Sequence, residues 1–153
     1  MTYRVSIQKA APMGLAAVRR RLTIPEIAGA FRPAIEALRP LLTAHPDLSS
    51  DGRIVLLYHH PVRREDVMSI DFGVHVSRPF EMEGEVFYAE TPAGEVATTT
   101  HIGPYEKLPA AHEAVHDWRL DAGRGFDRLS WEIYCAFNAD PAKNETQIMY
   151  LLA

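Results

Sequence analysis

The sequence lacks the features that define several large classes of protein. Its 153 residues include one cysteine, Cys135, which excludes a framework of internal disulfide bonds. There is no apolar run long enough to span a bilayer and no charged-then-apolar leader, so we expect a soluble, cytoplasmic protein that does not act on membranes. The 16 basic residues are outnumbered by 20 acidic ones, and a net charge of -4 argues against direct binding to nucleic acid.

Residues 112–116 match a zinc-binding sequence motif, but their predicted positions on the helix argue against a zinc site. His112, Glu113 and His116 match H-E-x-x-H on a predicted helix, the pattern of two zinc ligands one turn apart with a glutamate base. A rotation of about 100° per residue from the apolar stripe of that helix puts His112 at the flank, His116 near solvent and Glu113 outside. The motif would then point away from any cleft in the sheet, so we predict no metal and no cofactor.

What the sequence does contain is an internal repeat. Residues 12–17 and 92–97 carry proline, glycine and alanine at the same places, 80 positions apart. An apolar helix and then an aromatic strand follow each copy, the strands falling at 54–58 and 129–134. This is the pattern of a duplicated β-α-β-β unit. Two such units packed about a pseudo-two-fold axis leave a seam, and ligands commonly bind at seams of this kind.

Local signals give the expected elements. Thr23, Pro25 and Glu26 combine a capping residue, a first-turn proline and an acid three positions on, which predicts a helix start. A second helix is predicted at about 108–122. Strands are predicted from alternation and turn residues at 3–7, 15–22, 54–59, 66–76, 86–90, 96–101, 129–137 and 146–152.

The strand at 129–134 places an acid among aromatic residues. Alternation sets Leu129, Trp131 and Ile133 on one face, which we expect to pack on the helix of its own repeat. Glu132 and Tyr134 then lie on the opposite face, in the seam.

The first repeat supplies the partners of this acid. An offset of 76 matches Leu56 to Glu132 and Tyr58 to Tyr134. A carboxylate desolvated by aromatic walls is costly unless a cation or a proton donor meets it, so the site suits an organic cation or proton transfer. The alternative is that Glu132 lies on a solvated sheet face and pairs with an arginine.

Taken together, these motifs resemble the GyrI-like small-molecule-binding family, which includes the effector-binding domains of AraC-type and MerR-type transcription regulators. The likeness spans essentially the whole chain, and the missing helix-turn-helix implies a stand-alone member. It is carried by residues 58–61, 71–76, 99–108, 118, 131–134, 140–141 and 145–148.

The resemblance implies an α+β fold in which residues 1–153 form a single domain, with repeat one at about 1–78 and repeat two at about 85–153. The two β-α-β-β repeats would form a curved antiparallel sheet with a central ligand groove and helices on the other face. Hydrophobic, often cationic aromatic compounds would bind in that groove.

The family's groove glutamate corresponds to Glu132, and its aromatic partners correspond to Tyr58, Tyr134 and Tyr150, with Leu56 beside them. Three functions follow. The first, which we favour, is a drug or toxin binder that sequesters or senses its ligand. The second is a hydrolase of cyclopropanoid or other strained electrophilic toxins, in which Glu132 with a raised pKa activates water or protonates a leaving group while Tyr58 or Tyr134 donates a hydrogen bond. The third is a protein-interaction module acting on DNA gyrase or on a separate regulator.

Overall fold

The computed structural model describes residues 2–61, 63, 66–135 and 138–153, which form a curved, eight-stranded antiparallel sheet with helices on one side. The predicted α+β fold is therefore confirmed. None of the helices in this part of the chain is both long and apolar enough to cross a bilayer. The elements are β1 Ser6–Ala10, β2 Gly14–Leu22, α1 Ile27–Glu36, α2 Arg39–Ala44, β3 Ser49–His59, β4 Met68–Val76, β5 Phe87–Glu90, β6 Gly94–Ile102, α3 Leu108–Ala122, β7 Phe126–Tyr134 and β8 Glu145–Leu152.

Helix starts and ends follow the local signals. The Glu26 carboxylate accepts hydrogen bonds from the backbone N–H and the hydroxyl of Thr23, each at 2.8 Å, and so caps the short 3-10 turn that leads into α1. α3 ends at Gly123, which has the left-handed φ of 66° that closes many helices. The strand predicted at 129–137 ends at Tyr134, and residues 136–137 lie outside the described residues.

The order of the strands has the two-fold character that the repeat predicts. The order is β1-β6-β8-β7-β3-β4-β2-β5, and it reads the same backwards when each strand of one repeat is exchanged for its equivalent in the other. β3 and β7 pair at the centre, and their register sets Leu56 directly opposite Glu132. The pseudo-dyad therefore passes between these two residues and relates Tyr58 to Tyr134.

The repeated proline motif lies next to a second crossing of this axis. The ladders β1–β6 and β2–β5 share one register, which continues through the gap between them where the N–H of Thr91 donates to the carbonyl of Met13 at 3.0 Å. That register sets Pro12 opposite Pro92. Because proline has no N–H to donate, the ladder is interrupted there, and the β1–β2 and β5–β6 connections each run from one end of the sheet to the other.

The face without helices is an enclosed core. Strands β2 and β6 are five places apart in the sheet, about 24 Å if it were flat, yet Leu15 and Val96 belong to the same buried cluster. The sheet therefore curves around this cluster. The burial of these strands also fixes how the repeats match. An offset of 81 pairs Leu15 with Val96, both buried in this cluster, whereas an offset of 80 would pair the buried Leu15 with Glu95, which is exposed.

This curvature corrects one prediction. Trp131 and Ile133 were expected to pack on the helix of their own repeat, but both are buried in the cluster on the helix-free face, with Leu129 packed against it. Glu132 therefore points toward the helices. The prediction failed because a rolled sheet can bury its second face without any helix.

The two helices pack on either side of the central strands β3 and β7. α1 packs on β2 and β4, while α3 packs on β6 and β8. Ala34 of α1 is buried with Leu56 and Phe72, and Ala111 of α3 is buried with Ile148. The gap between the two helices thus lies over β3 and β7, where the pseudo-dyad meets the sheet.

Candidate functional site

A buried acid occupies the centre of the helix-bearing face. Glu132 is 4% exposed. Its Oε1 atom accepts hydrogen bonds from the hydroxyls of Tyr58 at 2.6 Å and Tyr134 at 3.0 Å. Since the pseudo-dyad relates these tyrosines, the duplication supplies one acid with two equivalent donors.

The other oxygen of the acid is held by α3. His112 Nε2 lies 2.6 Å from Glu132 Oε2, and His112 Nδ1 lies 2.7 Å from the hydroxyl of Tyr150. Because an ionised carboxylate only accepts hydrogen bonds, Nε2 carries a proton and donates it. His112 follows the buried Ala111 and therefore lies at the flank of the buried stripe, on the side that faces the central strands.

The expected orientation of the H-E-x-x-H motif is therefore wrong for its first histidine. His112 reaches into the sheet-side site, whereas His116 sets its ring edge-on to Tyr150 at 5.0 Å and Glu113 is exposed. Among the residues that the structure describes, no three histidine, cysteine or acidic side chains are grouped as a metal site would require.

Aromatic rings form the walls above the acid. The ring of Tyr134 lies 5.7 Å from that of Phe31 on α1 and 5.3 Å from that of Tyr105, just before α3. Neither residue is among the predicted site residues, because Phe31 has the spacing of ordinary core and Tyr105, beside a Gly-Pro turn, was expected to pack that turn. They became identifiable only once the contacts of both rings with Tyr134 were known.

A second histidine extends the polar network toward the surface. His60 is half-buried, and its Nε2 lies 2.5 Å from the hydroxyl of Ser130. Its ring stacks on Tyr58 and Tyr150 at 6.1 and 6.2 Å. Burial lowers the pKa of His60, and so does the positive charge of the histidines around it, His112 first among them.

The electrostatics of the site keep Glu132 charged. Burial alone would raise the pKa of Glu132. The hydrogen bond and the charge of His112, together with the hydrogen bonds from Tyr58 and Tyr134, outweigh the effect of burial. The pKa of Glu132 is therefore lowered. Burial and the charge of Glu132 raise the pKa of both tyrosines, so their hydroxyls keep their protons. The raised pKa expected of a catalytic Glu132 is therefore wrong in direction.

The predicted site residues are brought together to different degrees. Tyr58 and Tyr134 contact Glu132 directly, and Tyr150 reaches it through His112. Leu56 lies across from the acid but is buried in the cluster under α1. The alternative that Glu132 lies on a solvated face beside an arginine is wrong, since the acid is buried among tyrosines and a histidine.

The site is closed rather than open as a groove. The side chain of His112, 22% exposed, covers the buried carboxylate from the α3 side. Two surface hollows lie elsewhere. One, of about 590 Å³, is lined by residues that include His45 and Phe80, and the other, of about 290 Å³, lies between α1, α2 and β4.

A family model described as a GyrI-like small molecule binding domain matches residues 3–150. No curated protein matches the chain by sequence.

Solved structures with the same fold include two of EcmrR, one of SAV2435 and one of a hydrolase. The crystal structure of the EcmrR C-terminal domain is 21% identical, with a TM-score of 0.83 over 100% of this chain and 99% of that one. In a cryo-EM structure of an EcmrR–DNA complex (22% identity, TM-score 0.80), 98% of this chain is covered but only 57% of the EcmrR chain. SAV2435 bound to tetraphenylphosphonium is 14% identical, with a TM-score of 0.72 and coverage of 100% and 94%. A hydrolase encoded by lin2189 from Listeria innocua is 12% identical, with a TM-score of 0.65 and coverage of 98% and 92%.

Proposed function

The chain belongs to the GyrI-like small-molecule-binding domain family, and from that premise we propose that it binds hydrophobic, cationic aromatic compounds between α1 and α3, with Glu132 as the counter-charge. Tyr58 and Tyr134 hold the carboxylate in position, and Tyr150 and Leu56 complete the surroundings of the ligand. In a cell such a protein would sequester or sense a toxic organic cation.

One observation carries this proposal: an ionised carboxylate is buried beneath aromatic rings. Taking a carboxylate out of water costs several kcal/mol unless an opposite charge or hydrogen bonds offset it. The fold maintains this charge with donors from both repeats and keeps its pKa low. A ligand that brings a delocalised positive charge and apolar surface would match both the charge and the rings.

The aromatic walls suit an aryl cation. Phe31 and Tyr105 approach Tyr134 from the two helices, so separating α1 from α3 would expose three rings above the acid. A cation over such rings gains about 0.5–2 kcal/mol for each favourable contact. The relative SAV2435 is described as bound to tetraphenylphosphonium, which supports this class of ligand.

The proposal is tested by titrating tetraphenylphosphonium into the purified protein and measuring heat and thermal stability. We expect Glu132→Gln to weaken binding of this cation at least about tenfold, because the buried charge is lost while the shape is kept. Glu113→Gln is the matched control, because it removes the same charge from the exposed face of α3. A neutral aryl compound such as triphenylphosphine oxide should bind both variants alike.

Two outcomes would contradict the proposal. Failure of tetraphenylphosphonium to bind the wild type at millimolar concentration would remove the ligand class. Equal weakening by Glu132→Gln and Glu113→Gln would show that the net charge of the protein matters, and not the buried acid.

A second candidate function, hydrolysis of a strained electrophile, is favoured by the two tyrosine hydroxyls that converge on Glu132. An anionic carboxylate can accept a proton from water or attack carbon, while Tyr58 or Tyr134 donates to the leaving group. One relative of the same fold is described as a hydrolase. Incubation with a cyclopropanoid electrophile followed by mass spectrometry should then show a water adduct that Glu132→Gln does not form, and an equal yield from both proteins would exclude this role for Glu132.

A further inference from the structure

His112 occupies the position beside Glu132 that the positive charge of a ligand would need. Glu132 Oε1 is taken by two tyrosines, and His112 holds Oε2 from the side of α3. The Glu132 side chain is 5% exposed, whereas the His112 side chain above it is 22% exposed. A cation that approaches through the gap between α1 and α3 therefore meets His112 before it can reach Glu132.

The charge of the site also requires a cation when no ligand is bound. A buried anion without a counter-charge is strongly destabilising. The groups that donate to Glu132 are two neutral hydroxyls and one imidazole, and of these only the imidazole can carry a positive charge. An imidazolium carries a proton on each ring nitrogen and becomes neutral when it loses one of them.

We propose that His112 is an internal cation which a bound organic cation replaces, so that binding releases a proton. In the closed protein the imidazolium of His112 neutralises Glu132. When a permanent cation binds, His112 leaves Oε2, and the N–H bond of the imidazolium breaks, with the proton passing to water or buffer and the electron pair staying on nitrogen. This inference rests on the proposed function, since it assigns the selectivity of the same site.

The groups that face His112 come from every neighbouring element. Glu132 on β7 and Tyr150 on β8 contact it directly, while Tyr134 on β7 and Tyr58 on β3 donate to the other oxygen of Glu132. The histidines whose positive charge adds to that of His112 are His60, which follows β3, and His116 on the next turn of α3. Protonation of either neighbour would favour a neutral His112, so the test must distinguish the protonation of His112 from that of His60 and His116.

The exchange predicts a pH dependence of defined sign. At low pH the imidazolium competes with the ligand, so the affinity for tetraphenylphosphonium should fall as the pH is lowered from 8 to 5.5. The slope cannot exceed about tenfold per pH unit, the limit for one exchanged proton. Calorimetry in buffers of different ionisation enthalpy should give a release approaching one proton per ligand.

His112→Gln provides the decisive variant, because glutamine keeps a hydrogen-bond donor at this position without a charge. It should bind tetraphenylphosphonium with little pH dependence and no proton release, and more tightly than the wild type at pH 5.5. His116→Gln is the matched control on the same helix: it should still release a proton on binding and still bind more weakly as the pH is lowered. The inference is overturned if wild-type binding releases no proton, or if His112→Gln keeps the wild-type pH dependence.

A measurement without ligand keeps this inference separate from the proposed function. Nitrogen-15 spectra of the histidine rings at pH 7 should show His112 with protons on both nitrogens in the wild type and on one in Glu132→Gln. A singly protonated wild-type ring would overturn the inference even if the cation binds. Failure of the cation to bind, with the doubly protonated ring present, would instead contradict the proposed function.

Discussion

Two tyrosine hydroxyls converge on a single oxygen of Glu132, and they are not equal. Tyr58 donates at 2.6 Å and Tyr134 at 3.0 Å. The ring of Tyr134 also packs on Phe31 and Tyr105, contacts that a phenylalanine would keep. Because a shorter hydrogen bond to a carboxylate is a stronger one, we expect the hydroxyl of Tyr58 to contribute more than that of Tyr134.

We expect Tyr58→Phe to lower the free energy of unfolding by about 2 kcal/mol and Tyr134→Phe by about 1 kcal/mol, since each leaves the buried carboxylate with one donor fewer. Urea unfolding at pH 7 measures both. Tyr88→Phe is the control, because its hydroxyl donates to the exposed Glu90 and its loss should change the unfolding free energy by less than about 0.5 kcal/mol. A larger effect for Tyr134→Phe than for Tyr58→Phe would contradict the ranking.

Much of the site at residue level could be read from the sequence, and the part that could not has a physical cause. Alternation and the offset of 76 identified Glu132, Tyr58 and Tyr134, because strand periodicity and register are local properties. His112 was placed on the wrong side because the orientation of a helix depends on which face of the sheet it covers. That choice was made by the curvature of the sheet, which no local pattern encodes.

At the scale of elements, α3 positions His112, and its C-terminal end depends on one glycine. Gly123 has φ 66°, and a Cβ placed on it meets nothing within 4 Å, so strain in the backbone is the only obstacle to a side chain there. Gly29 lies within α1, and a Cβ placed on it also meets nothing within 4 Å, but its backbone is helical.

The same substitution should therefore have opposite effects at the two positions. Gly123→Ala should lower the free energy of unfolding by about 1 kcal/mol, because alanine is strained in the left-handed region. Gly29→Ala should raise it by about 0.5–1 kcal/mol, because alanine loses less backbone freedom on folding. Urea unfolding of both variants checks the signs, and a stabilising Gly123→Ala would contradict the assigned end of α3.

The elements themselves were largely predictable, whereas their edges and partners were not. The capping box at Thr23 and the span 108–122 were read correctly because both follow from local hydrogen bonding and apolar spacing. β1 was expected at 3–7 but covers Ser6–Ala10, because its pairing with β6 decides where it begins and ends. The matching of the repeats at 80 instead of 81 has the same cause, since a ladder register is a non-local property.

At the scale of the whole molecule, a second buried acid makes the stability of the fold depend on pH. Asp71 is 1% exposed, and Arg19 donates to both of its oxygens at 2.7 and 3.0 Å, with His59 Nε2 at 2.9 Å. Burial alone would raise the pKa of Asp71, but the hydrogen bonds of His59 and Arg19 outweigh it and lower the pKa. The stabilisation is therefore present above the ordinary aspartate pKa of about 3.9 and is lost as the pH falls through the lower value of the folded state.

Asp71→Asn should consequently lower the free energy of unfolding by about 1–3 kcal/mol at pH 7, with a difference from the wild type that shrinks below about pH 4. Chemical unfolding at a series of pH values measures this difference. Glu85→Gln, which removes an exposed acid paired with Arg20, should change stability little at any pH. A difference that grows on acidification would contradict the assigned direction of the pKa.

The pseudo-dyad itself can be tested, because it passes between Leu56 and Glu132. Leu56→Glu would set two buried carboxylates directly opposite each other and should lower the free energy of unfolding by about 3–5 kcal/mol, well beyond the effect of Leu56→Gln.

Adding Glu132→Leu moves the acid across the axis, where Tyr58 and Tyr134 exchange roles and both can still donate. Leu56 is buried among apolar residues such as Ala34 of α1 and Leu38 just before α2, so the moved acid would meet no cation within this cluster. The double variant should therefore regain part of the lost stability in urea unfolding at pH 7, and a double variant no more stable than Leu56→Glu alone would exclude the two-fold equivalence of the tyrosines.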